Sequence, residues 1–177
     1  MTGQARVVGL DLSLAGTGIA LADGTTTTVK TRPKDGDRRL LQIQDAVSAA
    51  VKPVTGDRVD LVVVEDLVAG TRVAGITGMV HGIVRSLLLQ AEVPYATVAP
   101  TTLKAYATGR GTADKTAVAL ARLYAASAEF ADDNQCDAAW LRWAGLDWLG
   151  RPEVAVPQAQ RDRLEKAAWP CPRVVVL

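Results

Sequence analysis

Residues 6–12 read RVVGLDL, and residues 59–65 read VDLVVVE. Each is a short, nearly unbroken apolar run with an acid at its far end, Asp11 in the first and Glu65 in the second. Apolar runs of this length without alternation mark strands buried on both faces. A buried strand gives up an apolar position to a carboxylate only where the charge is paired or binds a cation. In adjacent parallel strands, matching ends lie about 5 Å apart, so Asp11 and Glu65 are candidates for one site.

Outward from these runs, the signals alternate between strand and helix. Gly16 and Gly18 predict a turn, with Ile19 to Ala22 as a second strand. Ala22-Asp23-Gly24 is a hairpin signal, and Thr25 to Val29 is β-rich, so the chain opens with three antiparallel strands. Leu40, Ile43, Val47 and Val51 recur at helical spacing within Asp35 to Val51, and Pro53 and Gly56 end that helix. Val68 to Gly75 reads as a loop. A broad apolar stripe follows: Ile76, Met79, Val80, Ile83, Val84, Leu87 and Leu88. Tyr95 to Val98 is a short strand. Pro100 suits a first helical turn, with Thr101 to Thr108 behind it. Gly109 to Gly111 breaks the chain before a helix from Thr112 or Ala113 to about Ala126. Asp132, Asp133 and Asn134 offer caps for a last long helix through Trp148. The order predicts an α/β domain, a mixed sheet with helices packed on it.

A third acid, Asp137, opens the apolar stretch AAWLRWAGL and is placed to point back at the same sheet end. Three converging carboxylates repel one another unless divalent cations neutralise them. Mg²⁺ prefers such oxygen ligands, and two ions can clamp the attacking and leaving oxygens of a phosphodiester. Singly, each acid is as well explained as a cap, a strand end or a first-turn helix acid.

Together these residues resemble the RuvC family of Holliday-junction resolvases. Val8 to Ser13 followed by Thr17-Gly18-Ile19-Ala20 is similar to that family's first motif, and Val62-Val63-Val64-Glu65 to its second. Pro100-Thr101-Thr102-Leu103-Lys104, then Thr108-Gly109-Arg110-Gly111 and Lys115, resembles its basic segment. Asp133-Asn134-Gln135-Cys136-Asp137-Ala138 resembles its closing acid motif. The motifs occur in family order over residues 8 to about 149. The resemblance implies an RNase H-like five-stranded sheet, three antiparallel strands then two parallel, with helices on both faces. It implies hydrolysis of the phosphodiester backbone of branched DNA with two Mg²⁺ ions, Mn²⁺ serving as a substitute. Asp11, Glu65 and Asp137 become metal ligands, and Lys104 and Lys115 become contacts to phosphate or to the transition state. Two departures stand out. Asn134 occupies the place of a fourth acid, so either Asn134 or Asp133 completes the ligand set. Asp66-Leu67-Val68 lacks the ring the family often carries after the second acid. Such departures resemble phage-borne members.

Composition narrows the rest. The 177 residues suit one domain, residues 1–149, with a Pro-rich, charged appendage at 150–177 carrying a short helix around Gln158 to Ala167. Net charge is only +1, so any DNA surface arises from local clustering. Lys30, Arg32, Lys34, Arg38 and Arg39 are such a cluster, either a solvated face or a backbone patch. Cys136 and Cys171 form no metal or disulfide pattern, which fits a reducing cytoplasm. No signal-like or membrane-spanning segment is expected. Residues 109–116 (GRGTADKT) fail as a nucleotide P-loop, because Asp114 stands where a glycine must precede the lysine. His81 is expected at a surface or packing position. Trp140, Trp143 and Trp148 are expected to pack. The helix of residues 76–91 is expected either to serve the core alone or to pair two copies in a homodimer. An ATPase of related fold needs a second lobe that this length does not hold. A non-catalytic DNA-binding module, or a nuclease for flaps, forks or RNA–DNA hybrids, stays open from the residues alone.

Overall fold

The computed structural model describes residues 4–52, 58–67, 74–126 and 130–170. Of the loop expected over Val68 to Gly75, residues 68–73 lie outside the described residues, as do the helix-ending Pro53 and Gly56 and Cys171, whereas residues 74 and 75 are already helical. Five strands form one sheet: β1 (Val7–Asp11), β2 (Gly16–Ala20), β3 (Thr26–Lys30), β4 (Leu61–Glu65) and β5 (Tyr95–Val98). Their order is β3-β2-β1-β4-β5. The first three strands pair antiparallel, and β4 and β5 join parallel to β1. The helices are α1 (Arg38–Val51), α2 (Ala74–Gln90), α3 (Pro100–Thr108), α4 (Lys115–Ala126), α5 (Asp133–Trp148) and the short α6 (Gln158–Arg161), which runs into a 3-10 turn over Asp162–Lys166.

The alternation of side chains along the central strands builds two cores. Val8, Leu10, Val62 and Val64 face α1 and α2, where Ile43, Val47, Val80, Val84 and Leu88 meet them. Val7, Leu61, Val63, Ala96 and Val98 face the other way, onto Leu103, Tyr106, Trp140, Leu141 and Ala144. Helices therefore cover both faces of the sheet, as a parallel centre requires. Among the described residues, no helix is long and apolar enough to cross a membrane.

The first and fourth helices start later than expected, at Arg38 and Lys115, and the turn between β1 and β2 also differs from expectation. Gly16 and Gly18 lie inside β2, and the turn comes earlier, at residues 12–15. Ser13 and Thr17 close it: the Ser13 hydroxyl accepts from the Gly16 amide at 3.0 Å, and the Thr17 hydroxyl donates to the Ser13 carbonyl at 2.7 Å. Side-chain hydroxyls thus fill the role assigned to glycine.

The last described segment packs onto the domain. Val154, Val156 and Leu164 join the core formed by α3 and α5. Glu153 accepts two bonds from the buried Arg142 guanidinium, at 2.5 and 2.7 Å. Trp169 stacks on Trp148 at 5.0 Å, and Ala168 bridges to Thr97 beside β5.

Candidate active site and metal centre

Strand register sets the first two acids. Leu10 pairs with Val64 in the parallel β1–β4 ladder. Asp11 and Glu65, one step further along each strand, therefore end side by side at the same sheet edge. Asp137 reaches that edge from the second turn of α5. This helix is capped by Asp132, whose carboxylate accepts from the Gln135 amide at 3.1 Å and from the Thr28 hydroxyl at 2.7 Å. The cap ties the helix start to β3.

Glycines set how closely α5 lies on the sheet. A Cβ on Gly9 would stand 1.9 Å from the Ala138 carbonyl oxygen, and one on Gly18 2.1 Å from that of Asn134. Only hydrogen in these positions lets the helix backbone rest directly on β1 and β2. A glycine inside a strand marks such an approach.

Asp11, Glu65, Lys104, Lys115, Asp133, Asn134 and Asp137 all line one cavity of about 270 Å³, together with Pro100, Val118 and Cys136. Every residue singled out in the sequence for catalysis or metal binding is thus brought to one place. The Asp11 and Glu65 carboxyls are hydrogen-bonded to each other, and both are pushed above the usual carboxylate range. Burial is the main cause. For Asp11 the charge of Asp137 adds to it, and for Glu65 those of Asp11 and Asp137. Asp137 is raised to about 6, again chiefly by burial, with Lys115 and Lys104 pulling the other way. Three desolvated carboxyls held together in this way call for positive charge.

The two lysines come from different helices. Lys104 comes from α3, and its charge acts on Glu65 and Asp137. Lys115 opens α4 and pairs with Asp133 at 2.9 Å, both side chains being exposed. Asp133 therefore spends its charge on Lys115. Asn134 turns its amide toward the β2 strand, Nδ2 lying 3.2 Å from where a Gly16 Cβ would be.

Among the described residues, no three His, Cys, Asp or Glu side chains form a preformed metal centre. The donor set still fits a hard divalent cation: it is all oxygen, partly dehydrated, and short of positive charge. Burial favours the protonated form of these carboxyls, and a bound cation would displace that proton.

No protein-family model and no curated protein matches the chain. Among solved structures, RuvC of Thermus thermophilus superposes with a TM-score of 0.66 at 22% identity, over 85% of this chain and 99% of that one. T. thermophilus RuvC in complex with Holliday junction substrate gives 0.66 at 23% identity, with the same coverage. The fold is RuvC-like.

Within this RuvC-like fold, other sequence-singled residues lie away from the cavity. His81 is buried on α2, among core residues. In the basic cluster, Lys30 pairs with Asp132 at 3.6 Å, Arg32 with Asp35 at 3.4 Å, and Arg39 donates to the Thr31 hydroxyl at 2.8 Å. Trp140 and Trp143 are buried edge to face, 5.1 Å apart. Sequence reasoning missed three structural parts. Gly9 is one, although a glycine amid buried valines was the available signal. The others are the Arg142–Glu153 pair and the Tyr106 hydroxyl, which donates to Asp147 at 2.6 Å. Both join residues distant in sequence, and neither carries a local pattern.

Proposed function

We propose that this chain is a divalent-metal-dependent endonuclease that cuts the phosphodiester backbone of branched DNA, four-way junctions first among its substrates. One observation carries the reading: Asp11, Glu65 and Asp137 meet in a single cavity whose walls bear Lys104 and Lys115. Oxygen ligands for hard cations and lysines for phosphate are the two needs of phosphodiester hydrolysis. The likeness to a RuvC solved with Holliday junction substrate supports the choice of branched DNA.

In this mechanism Asp11, Glu65 and Asp137 would hold two Mg²⁺ ions, with Mn²⁺ as a substitute. Asn134 supplies a neutral oxygen, and Asp133 is held back by Lys115. When bound, the ions neutralise the phosphoryl charge and steady the attacking and leaving oxygens. Lys104 faces the acids from α3 and orients the phosphate against them. Lys115 contacts a neighbouring phosphate once it leaves Asp133. The proposed nuclease domain, residues 1–149, carries all of these side chains with the segment after Gly150 packed on it, and the chain works as a homodimer paired through α2.

A panel of four-way junction, fork, flap, RNA–DNA hybrid and linear duplex, each with Mg²⁺, Mn²⁺ or EDTA, tests the proposal. Metal-dependent cutting of the junction in preference to linear duplex is the expected result. Cutting in EDTA, or none with either metal, sinks the enzyme reading. Preference for flaps or hybrids keeps the chemistry and changes the substrate.

A further inference from the structure

The 3-10 turn over Asp162–Lys166 carries a pattern that the catalytic site does not use. In a 3-10 helix, side chains at i and i+3 eclipse one another. The sequence Asp162-Arg163-Leu164-Glu165-Lys166 therefore sorts onto three faces: Asp162 with Glu165, Arg163 with Lys166, and Leu164 alone. Leu164 is buried in the core. The acidic pair faces a hollow beside Trp148 and Trp169. The basic pair lines a different cavity, of about 300 Å³, with Thr101, Thr102, Ala105, Gly109 and Gly111. That cavity has two cations and no carboxylate on its walls. Among the described residues, neither Arg163 nor Lys166 forms an ion pair.

The position of this cavity gives the pattern meaning. Helix α3 stands between it and the catalytic cavity. Pro100 and Lys104 face the acids, while Thr101, Thr102 and Ala105 face the basic pair. The two cavities are thus about one helix diameter apart, on the order of 10 Å. That equals roughly three base steps of duplex at 3.4 Å each. The turn is also firmly held. Arg161, just before it, reaches Asp147 at 3.5 Å and the Val156 carbonyl at 3.0 Å. The indole of Trp169 donates to the Leu164 carbonyl at 2.7 Å. Two exposed cations held in place beside a cleft with hydroxyls and glycines suit a polyanion backbone, which the protein's net charge of +1 would not attract by itself.

We propose that Arg163 and Lys166 form a second phosphate-contacting site, which grips the DNA backbone on the far side of α3 from the catalytic cavity. The proposal rests on the branched-DNA reading above and assigns the segment after Gly150 a role in holding substrate.

Binding of the full chain to a synthetic four-way junction, followed in EDTA across a range of salt, tests it. Each phosphate that the protein no longer neutralises should lower the slope of log K against log salt by about 0.9. The R163A/K166A chain should lose nearly two units of slope, and should bind junction, fork and duplex more weakly by a similar factor. The D162A/E165A chain, altered on the same turn, should keep the wild-type slope. Equal loss in both chains, or no loss in R163A/K166A, overturns the second site while leaving the nuclease reading intact. A wild-type chain that binds no DNA overturns both.

Discussion

Asp11 and Glu65 share a hydrogen bond in a place where both carboxyls are largely removed from water, and this makes the acids a cost to the metal-free fold. A folded pKa raised above the unfolded value gives stability that is complete below about pH 4 and is lost as the group ionises at higher pH. Asp11→Asn keeps the shape and removes one charge. In EDTA the variant should be at least as stable as wild type at pH 8, by about 1 kcal/mol, with a smaller gain at pH 5. With Mg²⁺ it should no longer cut DNA. A variant that melts earlier than wild type at pH 8 contradicts the electrostatic account, and one that cuts at wild-type rate sinks the nuclease proposal. His81 works in the opposite sense. Burial and the charge of Arg85 lower its pKa to about 4, against a small opposing pull from Asp66. The folded state then binds fewer protons than the unfolded state between about pH 4 and 6.5. Its contribution is present above pH 6.5 and is lost as pH falls, by no more than about 3 kcal/mol. The gap in denaturant midpoint between wild type and His81→Leu should change between pH 7 and pH 5, wild type losing ground in acid. A gap that does not move with pH rules this out.

At the scale of elements, α5 decides where the third acid goes, and its seat on the sheet depends on Gly9 and Gly18. Gly18→Ala would press a methyl group into the Asn134 carbonyl, and neither partner is the free end of a side chain. The helix start must lift, moving Asn134 and Asp137. We expect a loss of about 2 kcal/mol by chemical denaturation, with a loss of cleavage larger than the remaining folded fraction explains. Unchanged stability would show that α5 does not rest on β2 in this way. The elements themselves were legible in sequence. β5 and α3 appear at the expected residues, because Pro100 and the apolar run before it are local signals. The acids were legible because a carboxylate closing a run of buried valines is costly unless it is paired or binds a cation. What escaped was set by contact between distant segments. The periodicity that marks a helix says nothing of the backbone it will lie on, so α5 on Gly18 could not be read. Arg142 and Glu153 show the same limit: eleven positions apart, they meet only because residues after Gly150 fold back. Glu153→Ala should leave the buried Arg142 cation without its carboxylate and cost about 3 kcal/mol. A calorimetric change under about 1 kcal/mol would mean that water reaches the guanidinium.

For the whole molecule, the question of assembly turns on α2. Val80, Val84 and Leu88 are fully buried, so one stripe of this helix belongs to the core. On the flank of that stripe, Ile76 and Met79 are about half exposed, at 48% and 46%. Ile83 and Leu87 continue the flank, partly buried and packed against the same core. Ile76, Met79 and Ile83 follow i, i+3, i+7 spacing and so share one side of the helix. A four-way junction has two-fold symmetry and needs two matched cuts, whereas one chain carries one candidate catalytic cavity among its described residues. Two copies facing each other across this flank would supply the second cut by the same symmetry. The test must spare the core. Charged residues at Ile83 or Leu87 would damage packing and give an ambiguous loss, but Ile76→Glu with Met79→Glu alters exposed positions only. Light scattering should find wild type as a dimer and the double variant as a folded monomer with an unchanged melting profile after allowance for dilution. On a junction with one labelled strand in each symmetric pair, wild type should cut both within one binding event, and the monomer should release singly nicked product. If wild type scatters as a monomer both alone and with junction DNA, the α2 pairing is wrong, and the exposed Ile76 and Met79 need another partner.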